Sequence, residues 1–467
     1  APALLVGAGI GAFVHSAPDT PDVVQAVSAD TPFTFTGYGH GHGRGMGQWG
    51  AYGYAQDGWT AERIIAHYYG GTELGSVEDQ MIAVRLVGRD DKTLDVYSDS
   101  GLNVGGEFVP AGQAVHLTPT EDGGANVVVT EGCSGATVAQ RHADLPWVDP
   151  VDLGEDRPFE EHLTFCSDDK TYRGALGIVL DNGAYRTVNR LHVEDYLRSV
   201  VPAEALPSWA DSGGAEALRA QAIAARSYAL AEKRHELWQT CDTTDCQVYG
   251  GSGAEDPRTD DGVRTTRGTV LMKNGEVVRS EFSASTGGYT AGGIFPPVED
   301  AGDRVAPNHQ WAKTLTAGEI GSKFGVGELQ AFEIIGRNQL GPDGGRVTRV
   351  RVVGSDRTIE TTGAEARTTL GLRSDWFTVK EGVDETVPEI TPAPEPGPEV
   401  VADPFGSGSG TSPIEQAYLE LGGVESVLGK PIGPELMLPD ERGKFRIFTG
   451  GAIVWTPELG AQVIDAS

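Results

Sequence analysis

One stretch decides how the rest of the chain must be divided. Residues 381–412 read EGVDETVPEITPAPEPGPEVVADPFGSGSGTS, a proline- and acid-rich run that passes into Gly and Ser. Such a composition cannot bury a core, so it predicts an extended linker followed by a flexible joint. It leaves about 380 residues before it and about 55 after it. The 467 residues carry 67 acidic against 36 basic side chains, a formal charge of −31. That sign repels phosphate backbones and anionic membranes, which excludes nucleic acid as an expected partner and fits a soluble surface.

The chain opens APALLVGAGIGAFVHSAPDTP, where residues 3–14 are apolar or small. That run is too short to span a bilayer. We read it as the tail of a secretory signal or a membrane anchor, with a buried strand as the alternative, and assign residues 1–32 to a leader. Export fits the four cysteines, an even number suited to an oxidising compartment. Cys241 and Cys246 are near enough in sequence to pair, which would leave Cys133 for Cys166, although sequence alone does not fix the pairing.

Strand signals dominate up to the linker. MIAVRLVG, TLDVYS, ANVVVTEG, ALGIVLDNG and RVTRVRVVG show β-branched alternation bounded by Gly, Asn or Asp. TVLMKNGEVVRS carries Asn274-Gly275, a strong hairpin signal. The exception is residues 213–235, GGAEALRAQAIAARSYALAEKRH, whose propensities predict a long helix with alanines that let neighbours pack close to its axis. A shorter helix is expected over 192–200, ending before VVPAEALPSW, where Pro202 and Pro207 oppose its continuation. The fold class is α+β, β-rich around a central Ala-rich helix.

Glu204 lies between those prolines among apolar or small neighbours. Desolvation disfavours a carboxylate and raises its pKa, as a general acid working near neutral pH requires; a solvated or helix-capping glutamate is the alternative. In GYGHGHGRGMGQWGAYGYA, residues 37–55, His40 and His42 would share one face of an extended strand and so suggest a metal pair, but no third ligand stands nearby. No Gly-Lys-[ST] follows, so the loop does not read as a phosphate site.

VPAEALPSW, ALRAQAIAARSYAL, FSASTGGYT and GHGRGMGQWGAYGYA together resemble the SpoIID/LytB family of bacterial cell-wall proteins, over roughly residues 33–380. The resemblance implies a lytic transglycosylase acting on peptidoglycan glycan strands, or an activator of a cell-wall amidase. Carried over by position, it makes Glu204 the catalytic residue and Gln221 and Arg226 substrate-binding helix positions. It adds Ser285, Thr286, Gly287, Gly288 and Thr290 at a strand end, and His42, Gln48 and Trp49 along a carbohydrate groove. Arg226 would meet an N-acetyl carbonyl or a lactyl carboxylate, with a helix-surface salt bridge as the alternative; His40 is expected to hold structure. Leu206 stands where the family has methionine, and residues 210–214 read as a short insertion.

Some relatives hold zinc in the stretch corresponding to HELWQTCDTTDC, so His235, Cys241 and Cys246 are candidate ligands for a structural zinc. A Cys241–Cys246 disulfide is the preferred reading, and no cofactor is required. The glycine-rich loop comes first here, whereas the sporulation members are expected to place it after the S-x-G-G-x-T strand, so a circular permutation that keeps residues 37–69 in the same spatial place is expected. Residues 413–467, with LGG at 421–423, LGKP at 428–431 and FTGGAIVW at 448–455, resemble a single LGFP repeat. That resemblance implies a wall-associated module binding envelope polymer, with Phe448 and Trp455 either stacking on a sugar or filling a small core.

The expected activity is non-hydrolytic cleavage between N-acetylmuramic acid and N-acetylglucosamine in glycan stripped of stem peptides. A hydrolase normally needs two carboxylates, whereas attack by the sugar's own C6 hydroxyl needs one. The alternatives are a non-catalytic amidase activator and a glycan-binding scaffold.

Overall fold

The computed structural model describes residues 27–382 and, beyond the linker, parts of 413–465. The chain divides into two compact units, residues 1–390 and 391–467. Most of the proposed leader and linker lies outside the described residues. The last leader positions are already structural: the Val27 N–H bonds the Leu329 carbonyl at 2.9 Å, and the strand Pro32–Tyr38 follows.

The helices of the first unit are α1 (Gln48–Gln56), α2 (Ala61–Tyr68), α3 (Val193–Glu204), α4 (Ala215–Ala231), α5 (Pro257–Thr265), α6 (Ala317–Phe324) and α7 (Gly363–Leu370). Strand exceeds helix, as the alternation predicts. A seven-stranded sheet runs from Thr240–Cys241 through Met81–Arg85, Ala184–His192 and Ala175–Asp181 to Glu107–Val109; a six-stranded antiparallel sheet includes Leu94–Tyr97, Gln113–Pro119 and Ala125–Glu131. Their inward valines, leucines and isoleucines share one core with α3 and α4. The Cys133–Cys166 disulfide ties two turns of the second sheet. In the hairpin Thr269–Lys273/Glu276–Val277, Asn274 and Gly275 sit at φ of 55° and 82°, the positive values that a tight two-residue turn requires.

The Ala-rich helix is central. Ala220, Ala222, Ala224, Ala225, Arg226 and Ala229 are all fully buried. It is shorter than 213–235 because Glu232 turns away into extended backbone, its buried carboxylate in an ion pair with Arg279 at 2.6 Å. The preceding helix is longer than expected: α3 runs through Pro202 to Glu204. Proline's fixed φ is itself helical, and its cost is one missing hydrogen bond and a clash with the preceding turn. Buried Val200 and Val201 and the Ala205 N–H bond to the Val201 carbonyl, 2.9 Å, hold the last turn despite that cost.

A third core joins the two ends of the unit. Pro32–Tyr38 pairs antiparallel with both Gln310–Thr316 and Phe377–Glu381, so the first and last strands are neighbours. In the second unit, α8 (Pro413–Glu420) accompanies a four-stranded antiparallel sheet, Leu436–Met437, Lys444–Phe448, Gly451–Thr456 and Gly460–Asp465. Phe448 is buried and stacks on Tyr418 at 4.6 Å, so it serves this small core; Trp455 keeps partial exposure.

Candidate active site

Glu204 is the last residue of α3, where the backbone turns extended at Ala205. Its two oxygens have different donors. Oε1 accepts the Val248 N–H at 3.0 Å and Oε2 accepts Gln48 Nε2 at 3.3 Å. Burial of the carboxyl raises its pKa above the ordinary glutamate range, and the two hydrogen bonds oppose that rise. Its place at a helix C-terminus, where the backbone dipole disfavours a negative charge, acts with burial. The residue as a whole keeps partial exposure although its carboxyl is desolvated.

Each donor is held in place by its own segment. Gln48 opens α1, and the two residues before it pair in parallel with the strand Phe282–Ser283, Met46 with Phe282 and Gly47 with Ser283. Val248 follows the Cys241–Cys246 disulfide. Flanking it, Gln247 is fully buried, donates to the Ala225 carbonyl at 3.4 Å and accepts the Tyr196 hydroxyl at 3.2 Å; the Gly250 N–H bonds Ser199 Oγ at 3.2 Å. The tethered segment presents the Val248 N–H to the acid. A backbone donor leaves no mark in residue type, which is why sequence reasoning missed Val248. Tyr196, whose hydroxyl feels the Glu204 charge, was missed because a tyrosine on an apolar helix face reads as core.

Beside Glu204, three aromatic rings converge. Trp49 packs edge-on to Tyr52 and Trp209, with centroids 5.7 and 5.0 Å away, and Tyr52 stacks on Trp209 at 4.8 Å. Ala205 and Leu206 belong to the same apolar cluster. Rings of this kind suit the faces of sugars. Trp209 is buried in that core, whereas Trp49 and Tyr52 keep partial exposure; Tyr52 and Trp209 carry no assignment from sequence, because only packing distinguishes an open ring from a core one.

The glycine-rich loop has a different reason for its composition than approach to a sugar. Gly39, Gly41, Gly43 and Gly45 take φ between 66° and 96°, so the segment is not an extended strand and His40 and His42 do not share a face. Its glycines face protein: a methyl group on Gly45 would lie 1.8 Å from the Glu281 carbonyl oxygen, and one on Gly50 2.2 Å from the Tyr68 hydroxyl. His40 bridges through its backbone to Ser285, the N–H and carbonyl of each meeting the other at 2.9 and 3.1 Å. His42 Nδ1 accepts the Arg44 N–H at 3.0 Å.

Several expected substrate contacts are internal instead. Arg226 is 0% exposed; its Nε and Nη2 grip both oxygens of Glu194 at 2.8 and 2.7 Å, and further donors reach the Thr269 and Val263 carbonyls. It is neither a substrate ligand nor a surface salt bridge. Ser285 Oγ and the Thr286 and Gly287 N–H groups surround Asp303, and Thr286 Oγ1 bonds Asp300 at 2.6 Å. Those polar groups are consumed within the fold; Thr290 is buried too, and of the five expected positions Gly288 alone keeps partial exposure. Gln221 is 1% exposed, yet neither its amide oxygen nor its nitrogen has a partner among the described residues.

Cys241 and Cys246 are joined in a disulfide, and His235 stacks on Trp238 with its Nδ1 accepting the Leu237 N–H at 3.2 Å. Metal ligation needs thiolates, so this cross-linked set does not fit a zinc ion.

Residues 181–272, which contain Glu204 and all of α4, match the family model described as Stage II sporulation protein, SpoIID, and residues 428–467 match the LGFP repeat. The chain thus carries a SpoIID domain followed by an LGFP repeat. Among relatives, an amidase enhancer of Bacillus subtilis (strain 168) is 34% identical over 133 residues, 27% of this chain and 18% of that protein. The stage II sporulation protein D of the same strain is 27% identical over 231 residues, 43% of this chain and 65% of that one. An uncharacterized protein of Brachyspira hyodysenteriae (strain ATCC 49526 / WA1) is 29% identical over 242 residues, 48% and 63% of the two chains. The match spans less than two thirds of the length of each relative.

Proposed function

We propose that the protein remodels the cell wall as a peptidoglycan lytic transglycosylase, cleaving between N-acetylmuramic acid and N-acetylglucosamine. The observation that carries this reading is a single desolvated carboxyl, Glu204, held by two donors beside an aromatic cluster. Among the described residues no second carboxylate touches it. Hydrolysis normally calls on a pair. One group suffices when Glu204 gives its proton to the glycosidic oxygen as the C1–O bond breaks, and then takes the proton of the C6 hydroxyl that bonds to C1. Water is not consumed, and the product ends in 1,6-anhydro-N-acetylmuramic acid. The amide of Gln221, buried and without a partner, is offered as a hydrogen-bonding position for substrate or an ordered water. The LGFP repeat is assigned to wall attachment, where a tether raises the local concentration of enzyme at its polymer.

Incubating the full chain with glycan stripped of stem peptides, followed by mass spectrometry, tests the activity. Anhydro products from the native chain that vanish in Glu204→Gln are the expected result; none from either protein removes the reading. The relative named amidase enhancer favours a second reading, activation of a cell-wall amidase. Under it, the chain would speed a purified amidase on whole sacculi equally well with Glu204 or with Gln at that position.

A further inference from the structure

Three side chains of metal-binding type meet at the end of α3 opposite Glu204. His192 closes the strand Ala184–His192 and stands at the N-cap of α3. Asp79 lies two residues before the strand Met81–Arg85, whose Met81 is the register partner of His192, and the Val193 N–H bonds the Gln80 carbonyl at 2.9 Å. Glu155 comes from the loop after Trp147–Pro150. Its neighbour Asp156 ties that loop to α3, the N–H bonding Asp195 Oδ1 at 3.3 Å and the carboxylate pairing with Arg198 at 2.5 Å. One donor atom from each of Asp79, Glu155 and His192 lies within 4.8 Å of the other two, and all three residues are partly buried.

Their polar atoms are only partly matched. His192 Nδ1 bonds Asp79 Oδ2, and Arg267 grips both oxygens of Glu155, with Nη1 at 2.6 Å. Asp79 Oδ1 is buried and has no hydrogen-bond partner among the described residues. With a neutral imidazole, two carboxylates face one guanidinium and a negative charge is left over. A carboxylate oxygen held out of water without a partner is unfavourable, and a cation on it relieves the cost. The N-terminal end of α3 contributes only a partial positive charge against two full negative ones.

We propose that Asp79, Glu155 and His192 bind a divalent transition-metal ion of the zinc type. One imidazole nitrogen with two carboxylate oxygens suits such an ion, whereas calcium and magnesium take oxygen ligands. Ligand atoms at about 2.1 Å from one ion stand about 3.4 Å apart in a tetrahedron, so side-chain shifts of about 1 Å would draw the set together. The ion takes the place of the proton between His192 and Asp79, and half-exposed Arg267 is its competitor for Glu155. All four cysteines are in disulfides, so no thiolate competes for the metal. At 1.5 Å per residue, α3 puts about 18 Å between His192 and Glu204. The ion therefore fastens three distant segments at the base of the helix that carries the acid and takes no part in the chemistry.

Calorimetric titration of the chelator-treated full chain with zinc tests the site, together with thermal unfolding with and without the ion. We expect one zinc per chain, a higher melting temperature when it is bound, and little response to calcium or magnesium. Asp79→Asn and His192→Gln should each weaken zinc at least about 10-fold, the loss that even an outer-shell change brings. Arg267→Gln should tighten zinc, by up to about fivefold for a surface charge pair. A native-like melting curve in chelator shows that a variant is folded; if the ligand variants do not fold, the exposed Arg267→Gln decides, and unchanged or weaker zinc binding there overturns the proposal. No zinc uptake by the native chain also overturns it and leaves a protonated His192 between two carboxylates. Uptake that survives Asp79→Asn with His192→Gln places the metal elsewhere and does the same, as does calcium binding as tightly as zinc, which excludes the imidazole.

Discussion

Burial pushes several carboxyl groups in this protein toward the neutral form, and for two of them, Glu204 and Asp300, the neighbours give different consequences. Glu204 is opposed by only two hydrogen bonds, from Gln48 and Val248, so small changes there should move it. Glu204→Gln should lower anhydro-product formation by at least about 100-fold, the low end for loss of a general acid–base. Gln48→Ala removes a donor that favours the anion, so the pKa should rise; the limb of the pH–rate profile that falls with rising pH should then shift to higher pH. An unmoved limb would show that Gln48 does not tune the acid. Asp300 is the second group, raised to about 7 first by burial and then by the charge of Asp303. A carboxyl that binds its proton more tightly when folded adds stability below about pH 4, and this is lost as pH rises toward 7. Asp300→Asn should accordingly raise the melting temperature, relative to the native chain, more at pH 8 than at pH 5. The sequence made Glu204 visible through its apolar neighbours. Nothing in the string marked Asp300, because its burial depends on Tyr68, Thr286 and α1 arriving from distant segments.

At the scale of elements, polar side chains fasten the site from beneath. Arg226 on α4 and Glu194 on α3 form a fully internal bidentate pair, and the Gly268 N–H also bonds Glu194, at 3.1 Å. Removing one partner leaves an uncompensated buried charge, which costs about 3–5 kcal/mol. Arg226→Ala should therefore show a lower denaturant midpoint of about that size. A loss well under 1 kcal/mol would mean that the pair is not the clamp described. The Cys241–Cys246 bridge closes a short loop; chain entropy gives about 2 kcal/mol for one of that length. Replacing both cysteines by serine should cost roughly that in stability and also slow cleavage, since the loop presents the Val248 N–H. Helix propensity placed α4 correctly, but pattern alone could not distinguish an arginine facing substrate from one facing a buried glutamate. The two capping boxes, Thr316 with Glu319 and Thr362 with Glu365, each ending at a left-handed glycine, are local and could be read directly from T-x-x-E and the later Gly.

For the whole molecule, the division at the linker carries its own prediction. The first unit has its own cores and the second has a separate one, so a chain ended at residue 390 should keep the main thermal transition and cleavage of soluble glycan while sedimenting less with insoluble wall. Loss of the main transition would show that the units do not fold independently. Within the first unit, Pro32–Tyr38 lies between Gln310–Thr316 and Phe377–Glu381, which brings its chain ends together. A loop at the front of such a unit reaches the same neighbourhood as one at its end, and Gln48 stands 3.3 Å from Glu204 across 156 residues. Sequence by itself determined what local physics decides: the β-rich class, the Ala-rich helix, the Asn-Gly hairpin and an acid in apolar surroundings. Tertiary structure alone decided which polar groups are spent inside the fold, as with Arg226, Ser285 and Thr286, and which lack a hydrogen-bond partner among the described residues, as with the amide of Gln221. Local preference depends on neighbours in sequence, whereas desolvation and hydrogen-bond satisfaction depend on neighbours in space.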